Sequence, residues 1–167
     1  MTTNPRPESR SAVPLALFLL LLFLTALAPA AGALSPEEVP SPLPGGWVTD
    51  LAGTLPPDAL DALNREADRV HAEGRGQLAV AVVPATDDGD PFGFALRLFD
   101  HWGVGDAERN DGVLLFLSVG DRAAEIVLGA GVDDPRRQAA SDRIMQSVMV
   151  PRFRQGDLAG GLVDGAR

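Results

Sequence analysis

A chain of 167 residues, 46% apolar and 22% charged, holds one ordinary globular domain plus a targeting segment and is short for two domains. Its 23 acidic residues outnumber 14 basic ones, all arginine, for a net charge of −9, and such a surface repels phosphate backbones, which argues against nucleic acid as a partner. The absence of cysteine excludes a disulfide framework, a thiolate nucleophile and any Cys-ligated metal centre.

The N-terminus carries Arg6 and Arg10 and then no charge from Ser11 to Pro36, with an apolar centre from Leu15 to Leu24 and small residues through Ala33. That three-part pattern is an export signal, and Ala31-Gly32-Ala33 offers a cleavage site in competition with Ala28-Pro29-Ala30. Val13 to Ala33 also contains 21 uncharged residues, long enough for an uncleaved anchor. Residues 1–33 are therefore read as a signal peptide or N-terminal membrane anchor, cleavage being favoured by the short apolar centre. Either reading puts the rest of the chain outside the cytoplasm, in the periplasm or cell envelope. Residues 34–46 hold four prolines and two glycines in Ser35 to Gly46 and read as a linker.

The domain is expected over residues 47–167. Trp47 to Leu51 reads as a short extended segment. Proline at Pro56 and Pro57 suits the first turn of a helix to about Glu73, whose Leu60, Leu63, Ala67 and Val70 form one stripe. Gln77 to Pro84 is Val-rich between turn signals, a buried strand. Asp90 as cap and Pro91 as first residue start a second helix with Phe92, Ala95, Leu96, Phe99 and Trp102 on its apolar face, stopped by Gly103. Val113 to Val119 and Ala123 to Leu128 form a hairpin, for which Gly120-Asp121 suits a two-residue type II′ turn. Asp134-Pro135 opens a third helix carrying Ala140, Ile144 and Val148, expected to break near Pro151, and Asp157 opens a last short helix.

The span from Pro84 to Gly112 is long enough for a right-handed crossover, which makes the Gln77 and Val113 strands parallel neighbours. The fold class is α/β: a small mixed sheet with helices on both faces. Two poles follow. One gathers the Gly103 to Asp111 loop with Gly129 to Asp134, and so Asp106, Glu108, Asn110, Asp111, Asp133 and Asp134. The other gathers Asp121, Arg122 and the Asp87 to Asp90 loop, with Asp50 upstream of the first helix. Carboxylates and an Asn amide without Cys are ligand chemistry for a hard cation such as calcium or magnesium. The same residues also suit turns and helix caps, because Asn-Asp-Gly is a turn sequence and Asp134 precedes a helix. Arg122 is a candidate anion-binding residue or a solvated edge residue. No serine-nucleophile elbow, zinc-binding His-Glu-x-x-His or phosphate-binding loop is present.

Val48-Thr49-Asp50, Phe99 to Gly105 (FDHWGVG), Asn110 to Leu115 (NDGVLL), Gly129-x-Gly131 and Pro151 to Asp157 (PRFRQGD) together resemble the TPM domain family. The family is named for a thylakoid-lumen phosphatase, a photosystem II repair protein and a nematode receptor modulator. The resemblance spans Trp47 to about Asp164. It implies a Rossmann-like three-layer α/β/α sandwich, an extracytoplasmic location, and a bound divalent cation, calcium rather than magnesium. By motif position it points to Asp111, Asp50 and, more loosely, Asp133 as metal residues, to which the strand pairing adds Asn110. It also implies an accessory role in assembly, repair or modulation of membrane protein complexes, with a metal-dependent acid phosphatase as the alternative. Whether the chain is an enzyme is left open, leaning toward not, since no nucleophile stands beside an activating base. Many bacterial relatives continue into a transmembrane segment and glycine-rich tail, whereas this sequence reads to Arg167, which leaves the N-terminal segment as the expected anchor or marks a shorter chain.

Overall fold

The computed structural model describes residues 33–87 and 89–167. The segment read as an export signal or anchor lies outside the described residues. No helix among those described is long and apolar enough to cross a membrane.

The elements follow the expected order: β1 (Val48–Asp50), α1 (Pro57–Ala72), β2 (Gln77–Val83), α2 (Pro91–Trp102), β3 (Gly112–Ser118), β4 (Ala123–Leu128), α3 (Pro135–Ile144), a π-helical turn (Met145–Met149), α4 (Val150–Arg154) and α5 (Leu158–Ala166). The sheet order is β1-β2-β3-β4, with the first three strands parallel and β4 antiparallel to β3. The crossover prediction holds, since Gln77 pairs with Gly112 and Val83 with Ser118.

β2 is almost wholly buried because both of its faces are covered, as its unbroken Val/Ala run requires. Ala79, Ala81, Leu114 and Phe116 face α2, where Phe94, Leu98 and Trp102 meet them. Val80, Val82, Leu115 and Leu117 face α1 and the C-terminal helices, through Leu63, Ala67, Met149 and Leu162.

Four local readings change. The buried face of α2 is Phe94, Ala95, Leu98 and Trp102, while Phe92 and Leu96 are 53% and 40% exposed. The helix is apolar on more than one side, so periodicity permits two phases. The one adopted lets the Trp102 indole donate to the Val39 carbonyl at 2.9 Å. That contact also revises the linker. Val39 is fully buried in the α2-side core, Leu34 bridges to Thr86, and the Thr49 hydroxyl donates to the Pro40 carbonyl, so this proline-rich stretch is packed onto the domain.

The hairpin turn is not two residues long. Ser118 pairs with Ala123, Arg122 N–H donates to the Val119 carbonyl, and it is Arg122, at φ 54°, that takes the left-handed conformation. Gly120 is needed for space instead, since a Cβ there would lie 2.7 Å from the Pro84 carbonyl oxygen. Finally, the third helix does not break at Pro151. It continues through the π-helical turn into α4, and the wider turn accommodates a residue that cannot donate.

The two phases of α2 are distinguished by mutation. Phe94→Ala should cost about 3–5 kcal/mol in denaturant unfolding, while Phe92→Ala should change stability by less than about 1 kcal/mol.

Candidate functional site

The N-terminal ends of β2 and β3 meet the loops before β3 and after β4, and Asp111 joins them. Its carbonyl accepts from Gln77 N–H at 3.3 Å. Its carboxylate accepts from Asp106 N–H at 3.0 Å and pairs with the Arg109 guanidinium at 3.1 Å, and the residue is only 8% exposed. Gln77 reaches the same loop with its side chain, where Oε1 accepts from Gly105 N–H at 2.9 Å.

Asp106 holds the loop's exposed turn. One carboxylate oxygen accepts from Glu108 N–H and Arg109 N–H, and its carbonyl accepts from Asn110 N–H at 2.7 Å. These backbone donors, Arg109's first, hold the Asp106 carboxyl below its usual range by stabilising the ionised form. Asn110 sits at φ 48°, a conformation Asn tolerates, and its carbonyl accepts from Gly131 N–H at 2.9 Å. This bond draws the second loop against the first so closely that a Cβ on Gly131 would overlap the Arg109 carbonyl oxygen. The Gly129-x-Gly131 motif is therefore a packing requirement between loops.

The sheet brings some of the expected residues together and separates others. Asn110 and Asp111 share this pole with Asp133, whose carboxylate accepts from the Gln138 amide at 2.8 Å. Asp134 caps α3, as expected, accepting from Arg136 and Arg137 N–H. Asp50 lies at the other end of the sheet. It pairs with Val82, five residues along β2 from Gln77, which places it more than about 17 Å from Asp111 at the rise of a strand, and two strands across the sheet. There its carboxylate accepts from the N–H groups of Ala52, Gly53 and Leu55 and shapes the turn into α1. Asp50 cannot share an ion with Asp111.

Arg122 is also at the far pole, beyond β3, about 20 Å from Asp111 by the same rise. An arrangement in which Arg122 clamps an anion over a cation held by Asp111 is thus not available in this fold. Asp121, beside it, is structural: it accepts from the hydroxyls of Ser118 and Thr86 and from Thr86 N–H.

Sequence reasoning missed Arg109. Its guanidinium lies 3.1 Å from Asp111 and 3.7 Å from Asp106, so a monovalent cation supplied by the chain sits between the two carboxylates. The signal was one basic residue inside the acidic stretch Asp106 to Asp111. The donors here are oxygens suited to a hard cation, but they include two carboxylates and not a cage: among the described residues no group of three or more His, Cys, Asp or Glu side chains is placed to hold a metal.

A four-stranded mixed sheet flanked by helices, with the Asn-Asp-Gly loop and Gly-x-Gly loop locked at one pole, defines an α/β domain of one particular family. The TPM domain model matches residues 48–167, and the chain belongs to that family. It is similar to the N-terminal domain of a P. gingivalis protein solved by NMR, with 30% identity and a TM-score of 0.73, covering 81% of this chain and 88% of that one. The N-terminal domain of the cg2496 protein of Corynebacterium glutamicum shares the fold at 19% identity and a TM-score of 0.60, covering 81% and 82%. The BA42 protein of Bizionia argentinensis does so at 20% and 0.55, covering 70% and 79%. No curated protein matches the chain.

The Asp106 hydrogen bonds carry a pH signature. A carboxyl held low in the fold contributes stability above its ordinary value of 3.8 and loses it as pH falls through the folded value. Asp106→Ala should therefore lower the melting temperature at pH 7, and the gap to wild type should close below pH 3.8. Thermal scans across that range check it.

Proposed function

We propose that this TPM domain is an exported accessory module for the assembly, repair or modulation of membrane protein complexes, and that it takes a divalent cation at the Asp106–Asp111 pole in exchange for Arg109. The observation that carries the cation reading is the guanidinium set between the two carboxylates. Two acidic side chains there already favour a positive charge, and the Arg109 side chain is 55% exposed, free to swing into solvent. Asn110 and Asp133 lie at the same pole as further oxygen donors, with water completing the set. Calcium is favoured over magnesium because it accepts irregular oxygen ligands at longer range, whereas magnesium demands a near-ideal octahedron. The family and the export-like N-terminal sequence support the placement outside the cytoplasm and beside a membrane. The alternative, a metal-dependent acid phosphatase, has less support, because Arg122 lies at the far pole.

Two carboxylates and a competing guanidinium imply weak affinity. Calorimetric titration of residues 34–167 with calcium should give a dissociation constant of about 10⁻⁴–10⁻³ M, in the range of extracellular modules. Asp111→Ala should abolish the heat, and Arg109→Gln, which removes the competitor, should tighten binding. Absence of heat in both wild type and Arg109→Gln would contradict the cation reading.

A further inference from the structure

β4 ends the sheet, so the N–H and C=O groups of its alternate residues that point away from β3 have no strand partner among the described residues. The flanking helices do not close over this edge. A cavity of about 310 Å³ is lined by three consecutive residues of β4, Ile126 to Leu128, by Phe92 and Leu96 of α2 and by Gln138 and Asp142 of α3. Consecutive strand residues point to opposite faces, and α2 and α3 lie on opposite faces, so this opening runs along the strand's outer edge. A separate groove, of about 770 Å³, is lined by Ala123 to Glu125 at the start of β4, by Leu117 to Val119 at the end of β3 and by the C-terminal helices, and holds Arg122 and Arg154. Phe92 and Leu96, the exposed large apolar side chains of α2, therefore border an unpaired strand edge.

The charges along this edge are self-complementary. Arg122 and Arg154 stand beside its start, and Asp133 and Asp142 beside its end. We propose that the occupant is a second copy of this chain, pairing β4 with its mate antiparallel about a two-fold axis normal to the sheet. That operation sets the arginine end of one copy against the aspartate end of the other, twice. It keeps like faces together and brings α2 beside the partner's α2, so that the exposed Phe92 and Leu96 of both copies are covered. The four strands become a continuous sheet of eight.

The register follows from the pleat. Opposed residues in an antiparallel pair share a face, so the axis must pass a residue facing its own copy. At Glu125 two carboxylates would oppose each other directly. At Ile126 an apolar residue meets itself, Glu125 lies across from Val127 of the mate, and Ala124 lies across from Leu128. The axis is assigned to Ile126. An edge so paired is also removed as a template for uncontrolled association.

The chain has no cysteine, so single cysteines report proximity cleanly. In the full chain solubilised in mild detergent, oxidation of Ile126→Cys should shift the monomer band to a disulfide-linked dimer, while Asp61→Cys on the exposed side of α1 should stay monomeric. Should Ile126→Cys fold poorly, mixing Ala124→Cys and Leu128→Cys chains should give the mixed dimer in preference to either self-linked one. Sedimentation should show that Arg122→Glu lowers the dimer fraction and that adding Asp142→Arg restores it. A chain that stays monomeric in every β4 variant, a dimer linked as readily through Asp61→Cys, or a dimer indifferent to Arg122→Glu overturns the proposal. A monomer that protects its β4 amides only when another polypeptide is added assigns the edge to that partner instead, and also overturns it.

Discussion

Asp111 is nearly buried at the point where two parallel strands begin, and its carbonyl and both carboxylate oxygens are used locally. The carbonyl receives the first N–H of β2, one carboxylate oxygen receives the N–H of Asp106, and the other pairs with Arg109. A carboxylate shut away from water in this manner is tolerated only because it is paired and hydrogen-bonded. Everything around it depends on that solution. The loop before β3 closes on Asp106 and Asp111, the loop after β4 is drawn in by Asn110, and glycines stand where the backbones touch because no side chain would fit.

The same residue type does different work at the opposite pole. Asp50 and Asp121 are also carboxylates in a loop beside a strand end, yet their partners are backbone N–H groups and hydroxyls that shape turns. No basic side chain bridges either of them among the described residues. Arg69 and Arg152 also bridge two acids each, Glu66 with Glu73 and Asp157 with Asp164, on and between helices. At the Asp111 pole the guanidinium instead joins a loop carboxylate to one that is nearly buried, and this burial at a loop separates the place proposed for a cation from ordinary turn chemistry.

Much of the architecture was legible in the chain. The Val-rich run of β2, the prolines and aspartates that start the helices, and the length of the crossover determine a parallel pair with a hairpin beside it. The misread parts share a cause: local pattern leaves them degenerate and tertiary contact decides. α2 is apolar on two sides, and the Trp102 to Val39 bond accompanies one phase. Proline content reads residues 34–46 as a linker, yet the Val39 side chain within it is buried under α2. Gly120 suits a tight turn by its backbone freedom, but the fold requires it for clearance from the Pro84 carbonyl. At the candidate site, topology correctly united Asn110, Asp111 and Asp133 at one pole, and Asp50 was grouped with them only by motif. Arg109 was invisible because a surface arginine among acids has no distinctive spacing; only the fold shows that it lies between Asp106 and Asp111.

The central claim is that the Arg109 guanidinium and a divalent ion compete for one place. It is tested most directly by nitrogen-detected NMR of the Arg109 side chain in residues 34–167, with and without calcium. Without the ion, the Arg109 Nε–H should be protected and shifted relative to an exposed arginine such as Arg167. Calcium should move it to the position of a free arginine while the amides of residues 105–112 shift and those of the 119–122 turn do not. An Arg109 signal unchanged by calcium, with no shifts in that loop, would contradict the account.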